Sequence, residues 1–492
     1  MDSLIKEFRA AYADQLGNDL AKTLTPDVPN NAAQLMSVWE SGNSQSVKDD
    51  LKFLFVRDKS ARLNMSSEEA VGWQEIYYSY WKALGEILAA EGLRKSRVKV
   101  RDHPNQWLIV SLVSPSEPLS TSKSPWSINK LTCRILTQTS WTSVYEAWKE
   151  LTSQIIRGYT NHEFENWTIP CLYVAGKYMR LYAMRADAER GSNGDEMVTN
   201  FQDDFDPETE KHKSLEDCAR QLNRIFNLCL SDRAPLSESR KWGIYYAINL
   251  LFKTYFKLNS AALSKNVLRV LSAGRGDMPD FESFPKSQQV TFKYYEGVLA
   301  FLEENYEEAE RHLTLAWLLC HKGATRNMEL ILTYLIPCHL LTTHTLPSAK
   351  LLAPFPRLQA LFLKLATAIK KGDLRGFHQA LQEGEDEFVK RRIYLTLERG
   401  RDIALRNLLR KVFIAGGFIE GAEGGAQVRR TRIPVAEFAA AIRMSGGQDI
   451  DTDEVECLLA NMIYKNLMKG YIAHERGFVV LSKNGAFPGT GV

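Results

Sequence analysis

The chain has 492 residues, 45% of them apolar and 25% charged, the profile of a folded globular protein with room for several domains or one long solenoid. A formal net charge of +3 is too small to mark a nucleic-acid binder by itself, so any such role must come from local clustering of charge. Seven cysteines with no CxxC and no Cys/His cluster exclude a zinc module and a disulfide framework, and they place the chain in a reducing compartment.

Residues 1–93 read as an N-terminal helical region, interrupted by polar residues around Thr25–Asn31. The opening, MDSLIKEFRAAYADQL, is amphipathic but lacks a signal-peptide core, and no apolar run reaches the ~18 residues of a membrane span, so neither secretion nor a membrane is expected. Residues 94–138 differ in character. They hold Pro104, Pro115, Pro118 and Pro125, many serines and a single apolar run, Trp107–Val113. An irregular, disordered insertion is expected there, and translated intronic sequence would have the same composition.

Helical repeats resume over 139–236, broken by an acidic loop at 187–210 whose nine carboxylates cannot bury a core. From 237 to 401 the pattern is one of consecutive helical hairpins. Trp242, Tyr246, Ile248, Leu251, Phe252, Tyr255 and Phe256 form a stripe at three- and four-residue steps. Helices are expected through Leu263–Leu271 and Val290–Leu302. In the next hairpin, Gly297 and Ala300 face Tyr306, Ala309 and Ala316 across the short turn Glu303-Glu304-Asn305, the small residues allowing a close approach.

The fold class is therefore mainly α: a TPR-like helical-hairpin solenoid followed by a C-terminal winged helix. That module spans 402–485, with a tail at 486–492. It comprises a helix (Asp402–Ile414), a Gly-rich loop (Gly416–Gly425), a short strand within Arg429–Val435 and a second helix to Met444. A third helix (Asp453–Leu467), capped by Asp449 or Asp451, leads to a hairpin of Gly470–His474 and Gly477–Leu481.

No catalytic set is present: there is no P-loop, HExxH or GxSxG. Gly416, Gly417, Gly421, Gly424 and Gly425 follow no strand and precede no correctly spaced lysine, so they read as an inter-helix loop. His339 and His344 are five residues apart, off one helix face and without a completing carboxylate. Neither enzyme, metal nor cofactor is predicted. The chemistry that the sequence offers is phosphate binding by the C-terminal module. Arg410, Lys411, Arg429, Arg430 and Arg432 flank its first helix and strand, and Lys465, Lys469, Arg476 and Lys483 lie at the end of its third helix and in the wing. The third helix opens with Asp449, Asp451, Asp453, Glu454 and Glu456, which repel DNA, and it carries no Arg or Asn fork for base edges, so sequence-specific reading is not expected. On that helix Val455, Leu458, Leu459, Met462 and Ile463 pack the module itself. The wing residues Tyr471, Ile472, Phe478 and Val480 are candidates for partner binding by sheet extension.

Several phrases resemble the PCI-domain subunit family. They are Lys241-Trp242-Gly243, the run Leu251–Asn259, Val290–Tyr295, Ile331–Pro337, and above all Asp451–Val455 through Leu459–Tyr464 to Lys469-Gly470-Tyr471-Ile472. As a set they are similar to the PCI subunits of the messenger-RNA export complex and to the fungal signalosome-associated twelfth subunit, over about Trp141–Pro488. The opening MDSLIKEFRAAYA leans toward the latter. The resemblance implies a scaffold in the nucleus, with a cytoplasmic pool also expected, that pairs through its winged helix with a second PCI-domain protein. It further implies a small acidic disordered subunit of the proteasome-lid type, RNA or DNA bound without sequence preference, and attachment to the signalosome as the alternative. The 94–138 segment has no counterpart in that family.

Overall fold

Ser66 starts the longest N-terminal helix by accepting a hydrogen bond from the Glu69 amide, and from there aromatic side chains organise the core. In the computed structural model, which describes residues 2–57, 65–92, 140–193, 212–419, 428–446 and 450–490, the chain divides into two compact units, Met1–Phe284 and Pro285–Val492. The 94–138 insertion lies outside the described residues. Among those described, no helix is long and apolar enough to cross a membrane.

The first unit comprises α1 (Asp2–Ala13), α2 (Gly17–Thr23), α3 (Val28–Glu40), α4 (Ser44–Lys52), α5 (Ser67–Ala90), α6 (Trp141–Asn161), α7 (Ile169–Asn193), α8 (Lys213–Leu230), α9 (Ile244–Lys257) and α10 (Ala261–Ala273). Trp73 of α5 stacks on Phe164 at 4.4 Å between ring centroids, and Trp148 of α6 donates its indole N–H to the Ala175 carbonyl at 2.9 Å. Burying each such ring contributes on the order of 2–3 kcal/mol.

The expected acidic loop starts later than its composition implied. Helix α7 continues to Asn193, and Asp187 is buried rather than solvated. Its carboxylate accepts from the amides of Ser214 (3.0 Å) and Leu215 (2.9 Å), two of the orphan N–H groups at the start of α8. The remainder, 194–210, lies outside the described residues.

The boundary between units falls at 284/285, inside the stretch expected as one solenoid. Phe284 packs on Trp242 and Tyr245 of the first unit, whereas Pro285 precedes the first helix of the second. That second unit contains α11 (Lys286–Leu302), α12 (Tyr306–Leu319), α13 (Thr325–Thr342), α14 (Pro356–Lys371) and α15 (Leu374–Glu383), followed by short helical turns and the C-terminal module. The α11–α12 hairpin forms as its small residues indicate. Asn305 caps α12 through the Glu308 amide, and Ala309, Leu313 and Ala316 are buried against α11. A Cβ on Gly297 would sit 2.6 Å from Leu313 Cγ and 3.2 Å from its backbone nitrogen.

The C-terminal module is a winged helix: α16 (Gly400–Ala415), β1 (Phe418–Ile419), β2 (Val428–Arg429), β3 (Arg432–Pro434), α17 (Val435–Gly446), α18 (Thr452–Tyr464), β4 (Gly470–Ala473) and β5 (Phe478–Leu481). The short strand expected over Arg429–Val435 is two strands. Val428–Arg429 pairs with β1, and Arg432–Pro434 joins a three-stranded antiparallel sheet of order β3-β5-β4. Asp451 caps α18 in a capping box with Glu454, while Asp449 and most of the Gly-rich loop lie outside the described residues.

Gly297→Ala is expected to lower stability by about 1–3 kcal/mol, because Leu313 must move against its own backbone. Thermal melting of the full chain checks this, and an unchanged transition would contradict the close approach.

Candidate nucleic-acid and partner interface

Helix α16 holds the module to the helices before it. Its Asn407 side chain donates to the Ile369 carbonyl at 2.9 Å and Lys411 Nζ donates to the Lys371 carbonyl at 2.7 Å, so both satisfy carbonyls at the end of α14. Gly372 ends α14 with φ +66°, and a Cβ there would lie 2.6 Å from the Leu408 nitrogen. Ser445 of α17 closes the same junction, donating to the Gly372 carbonyl and accepting from the Leu374 amide.

The nine basic residues marked in the sequence do not share one face. Lys411 is engaged with α14. Arg410 is half-buried, with Nη2 3.4 Å from the Thr490 carbonyl. Arg429 stands over the rings of Phe413 (5.4 Å) and Phe418 (4.7 Å). Arg430 pairs with Glu437 at 2.8 Å, and Lys465 pairs with Asp402 at 2.6 Å. Arg432, Lys469, Arg476 and Lys483 are exposed, and none has a side-chain partner among the described residues.

Strand register then separates these four. Arg432 pairs with Val480 and Gly470 with Leu481, so the start of β3, the start of β4 and the end of β5 meet at one end of the sheet. Arg432, Lys469 and Lys483 therefore gather within two strand spacings of about 5 Å each. Arg476 lies in the turn at the opposite end, three residues or about 10 Å along the strands. Tyr464, at the C-terminal end of α18 next to Lys465, is 90% exposed and adds an open aromatic ring that the sequence reading did not single out.

The outer face of the sheet is set by the same register. Tyr471, Val480 and Arg432 form one cross-strand row, and Ala473, Phe478 and Pro434 form the next row on that face. Three of the four expected partner residues, Tyr471, Phe478 and Val480, thus stand together. Ile472 does not join them. It is aligned with the buried Val479 and Ile433 and turns toward the core, because alternate residues of a strand face opposite ways. Strand β4 is an edge strand among the described residues. On α18, Val455, Leu459 and Met462 are buried, as a self-packing face requires.

The opposite end of the module is acidic. Asp451, Asp453 and Glu454 surround the N-terminus of α18, where they complement the helix dipole, and Glu456 accepts from His474 Nδ1 at 2.6 Å. Charge is therefore polarised along the third helix, with carboxylates at its start and Lys465 and Lys469 beyond its end. Among the described residues no group of three or more His, Cys, Asp or Glu side chains is arranged to hold a metal ion; His339 Nδ1 lies 3.0 Å from Glu310, and His344 approaches the Leu340 carbonyl.

A helical-hairpin array that ends in a winged helix defines a PCI-type scaffold. A model of the PCI domain matches residues 381–483. The chain is 60% identical over 496 residues to a Neurospora crassa protein described as a CSN12 homolog, and 57% identical over 499 residues to one so described from Gibberella zeae, with the whole of each chain covered. A Schizosaccharomyces pombe protein with the same description is 40% identical over 339 residues, covering 69% of this chain and 76% of that one. The chain belongs to the CSN12 homologue family of PCI-domain proteins.

The Glu456 hydrogen bond and charge raise the His474 pKa above its usual value of about 6.5. The tether from helix to wing is complete below that pH and is lost as pH rises through the folded value. An NMR titration of the His474 ring is expected to show a raised midpoint that Glu456→Gln returns toward 6.5. A midpoint unmoved by that change would contradict the contact.

Proposed function

We propose that this PCI-domain protein is a non-catalytic scaffold subunit acting in the nucleus, coupling transcription, splicing and export of messenger RNA, and that it binds RNA or single-stranded DNA without sequence preference. The observation that carries the nucleic-acid reading is the end of the winged-helix sheet where Arg432, Lys469 and Lys483 gather without carboxylate partners among the described residues, with the open ring of Tyr464 at the end of α18, five residues before Lys469. Unpaired cations neutralise phosphates, and an exposed ring stacks on any base, so the combination favours single strands over a base-read duplex. The carboxylates around the start of α18 keep that helix out of a major groove.

Assembly uses the outer face of the same sheet, of which Arg432 marks the basic end. The second PCI-domain protein docks on Tyr471, Phe478 and Val480 with the β4 edge alongside, and a small acidic disordered subunit completes the set; the family resemblance supports both. The name CSN12 homolog on the relatives favours a second reading, a signalosome-associated assembly subunit that uses the apolar sheet face alone and contacts no nucleic acid.

Salt-dependent binding of a single-stranded RNA separates the two. Affinity is expected to fall linearly on a log–log plot against salt, and each of Lys469→Glu and Lys483→Glu is expected to reduce the slope by about 0.7 or more. Arg476→Glu, at the far end of the wing, is expected to change it less. Binding at low salt that is absent, or equally sensitive to all three changes, overturns the nucleic-acid assignment.

A further inference from the structure

Arg406 is the one arginine of α16 that is 94% buried, being 6% exposed. Among the described residues its Nε finds no hydrogen-bond partner, and its side-chain hydrogen bonding is limited to a long 3.5 Å approach of Nη2 to Asn407 Oδ1. One turn further along, Arg410 also has a buried Nε without a partner, and its Nη2 reaches only the Thr490 carbonyl at 3.4 Å. Among the described residues no carboxylate is paired with either. Asp402, one turn before Arg406, is taken by Lys465. Phe413, one turn beyond Arg410, packs on Phe487. Two adjacent guanidinium groups are thus held along the face of α16 that looks onto the 485–490 segment. Each repels the other, and burial together with the charge of Arg410 weakens the proton affinity of Arg406.

An uncompensated buried cation such as Arg406 destabilises a fold, and the like charge of half-buried Arg410 beside it adds repulsion. Elsewhere in this module Arg430 has Glu437 and Lys465 has Asp402, while Arg429 stands over two ring faces with its Nη1 buried and without a hydrogen-bond partner among the described residues. What sets α16 apart is that two such guanidinium groups lie one turn apart on one helix face, a paired donor set suited to an anion. Guanidinium forks match a tetrahedral oxyanion through paired N–H donors, and two positive charges balance a dianion. We propose that Arg406 and Arg410 form a binding site for a phosphate dianion, either free phosphate or the terminal monoester of a larger ligand. A backbone phosphodiester, with a single charge, fits less well. The site is therefore separate from the open basic end of the sheet and stands or falls independently of nucleic-acid binding there.

The test is thermal melting of the full-length chain with inorganic phosphate, with dimethyl phosphate, and with chloride at matched ionic strength. Phosphate is expected to raise the melting temperature, more at pH 7.5 than at 5.5 because its second ionisation lies near pH ~6–7, while dimethyl phosphate has no effect beyond chloride. Arg410→Met and Arg406→Lys are expected to remove the phosphate-dependent rise. Arg406→Met is expected to melt higher than the parent in chloride, since it deletes an unpaired buried charge; a purely structural arginine would melt lower. Competition by a 5′-phosphorylated oligonucleotide but not by its 5′-hydroxyl form would assign the site to strand ends, and competition by neither would assign it to free phosphate. No rise with phosphate, an equal rise with dimethyl phosphate, or a rise that survives both Arg410→Met and Arg406→Lys overturns the proposal.

Discussion

Helix α16 is shared between two bodies, and the rest of the C-terminal architecture depends on that. On one side Asn407 and Lys411 complete the last carbonyls of α14, with the Leu408 backbone seated where Gly372 has no side chain. On the other side Asp402, Arg410 and Phe413 carry the α18 terminus, the 485–490 segment and Phe487. The winged helix is therefore not a bead on a linker. A left-handed glycine and two side-chain caps fix its angle to the preceding helices, so its sheet and its charged ends point in directions that the array determines. That rigidity is what a scaffold requires, since partner surfaces have to be presented at a constant geometry.

The same helix explains the distribution of charge. A basic count over the last ninety residues suggests a broad cationic face, but folding spends most of it internally. Partners distant in sequence, Asp402 for Lys465 and Glu437 for Arg430, neutralise surface cations, and such exposed pairs contribute only about 0–1 kcal/mol to stability. Their larger effect is to sharpen the field, leaving one open basic end by the sheet and one acidic end at the start of α18. A field polarised in this way attracts anionic groups to one end of the module and cationic groups to the other.

How much of this was legible in the sequence depends on the range of the interaction. Local signals read through well. The Gly297 and Ala309 spacing announced a tight hairpin, and Asp449 and Asp451, either able to cap, announced the start of α18. Alternation on either side of Glu475-Arg476 announced the wing. Contacts between distant residues were not legible. Asp187 looked like one more carboxylate in an acidic run, yet it caps a helix that begins some 26 residues later. Ile472 looked equivalent to Tyr471 until register placed it on the inner face. Arg406 was overlooked among basic neighbours, although its spacing from Ile403, Leu409 and Phe413 already put a charge on the apolar stripe of α16.

The central claim is that this chain works by holding partners, through a winged helix fixed rigidly to a helical array. Affinity purification of the full chain from nuclear extract, with and without nuclease, tests it most directly. The account predicts that a second PCI-domain protein and a small acidic subunit are recovered whether or not nuclease is present, and that Tyr471→Asp with Phe478→Asp releases the second PCI-domain protein. Recovery of the chain alone, or of partners that vanish with nuclease, would contradict it.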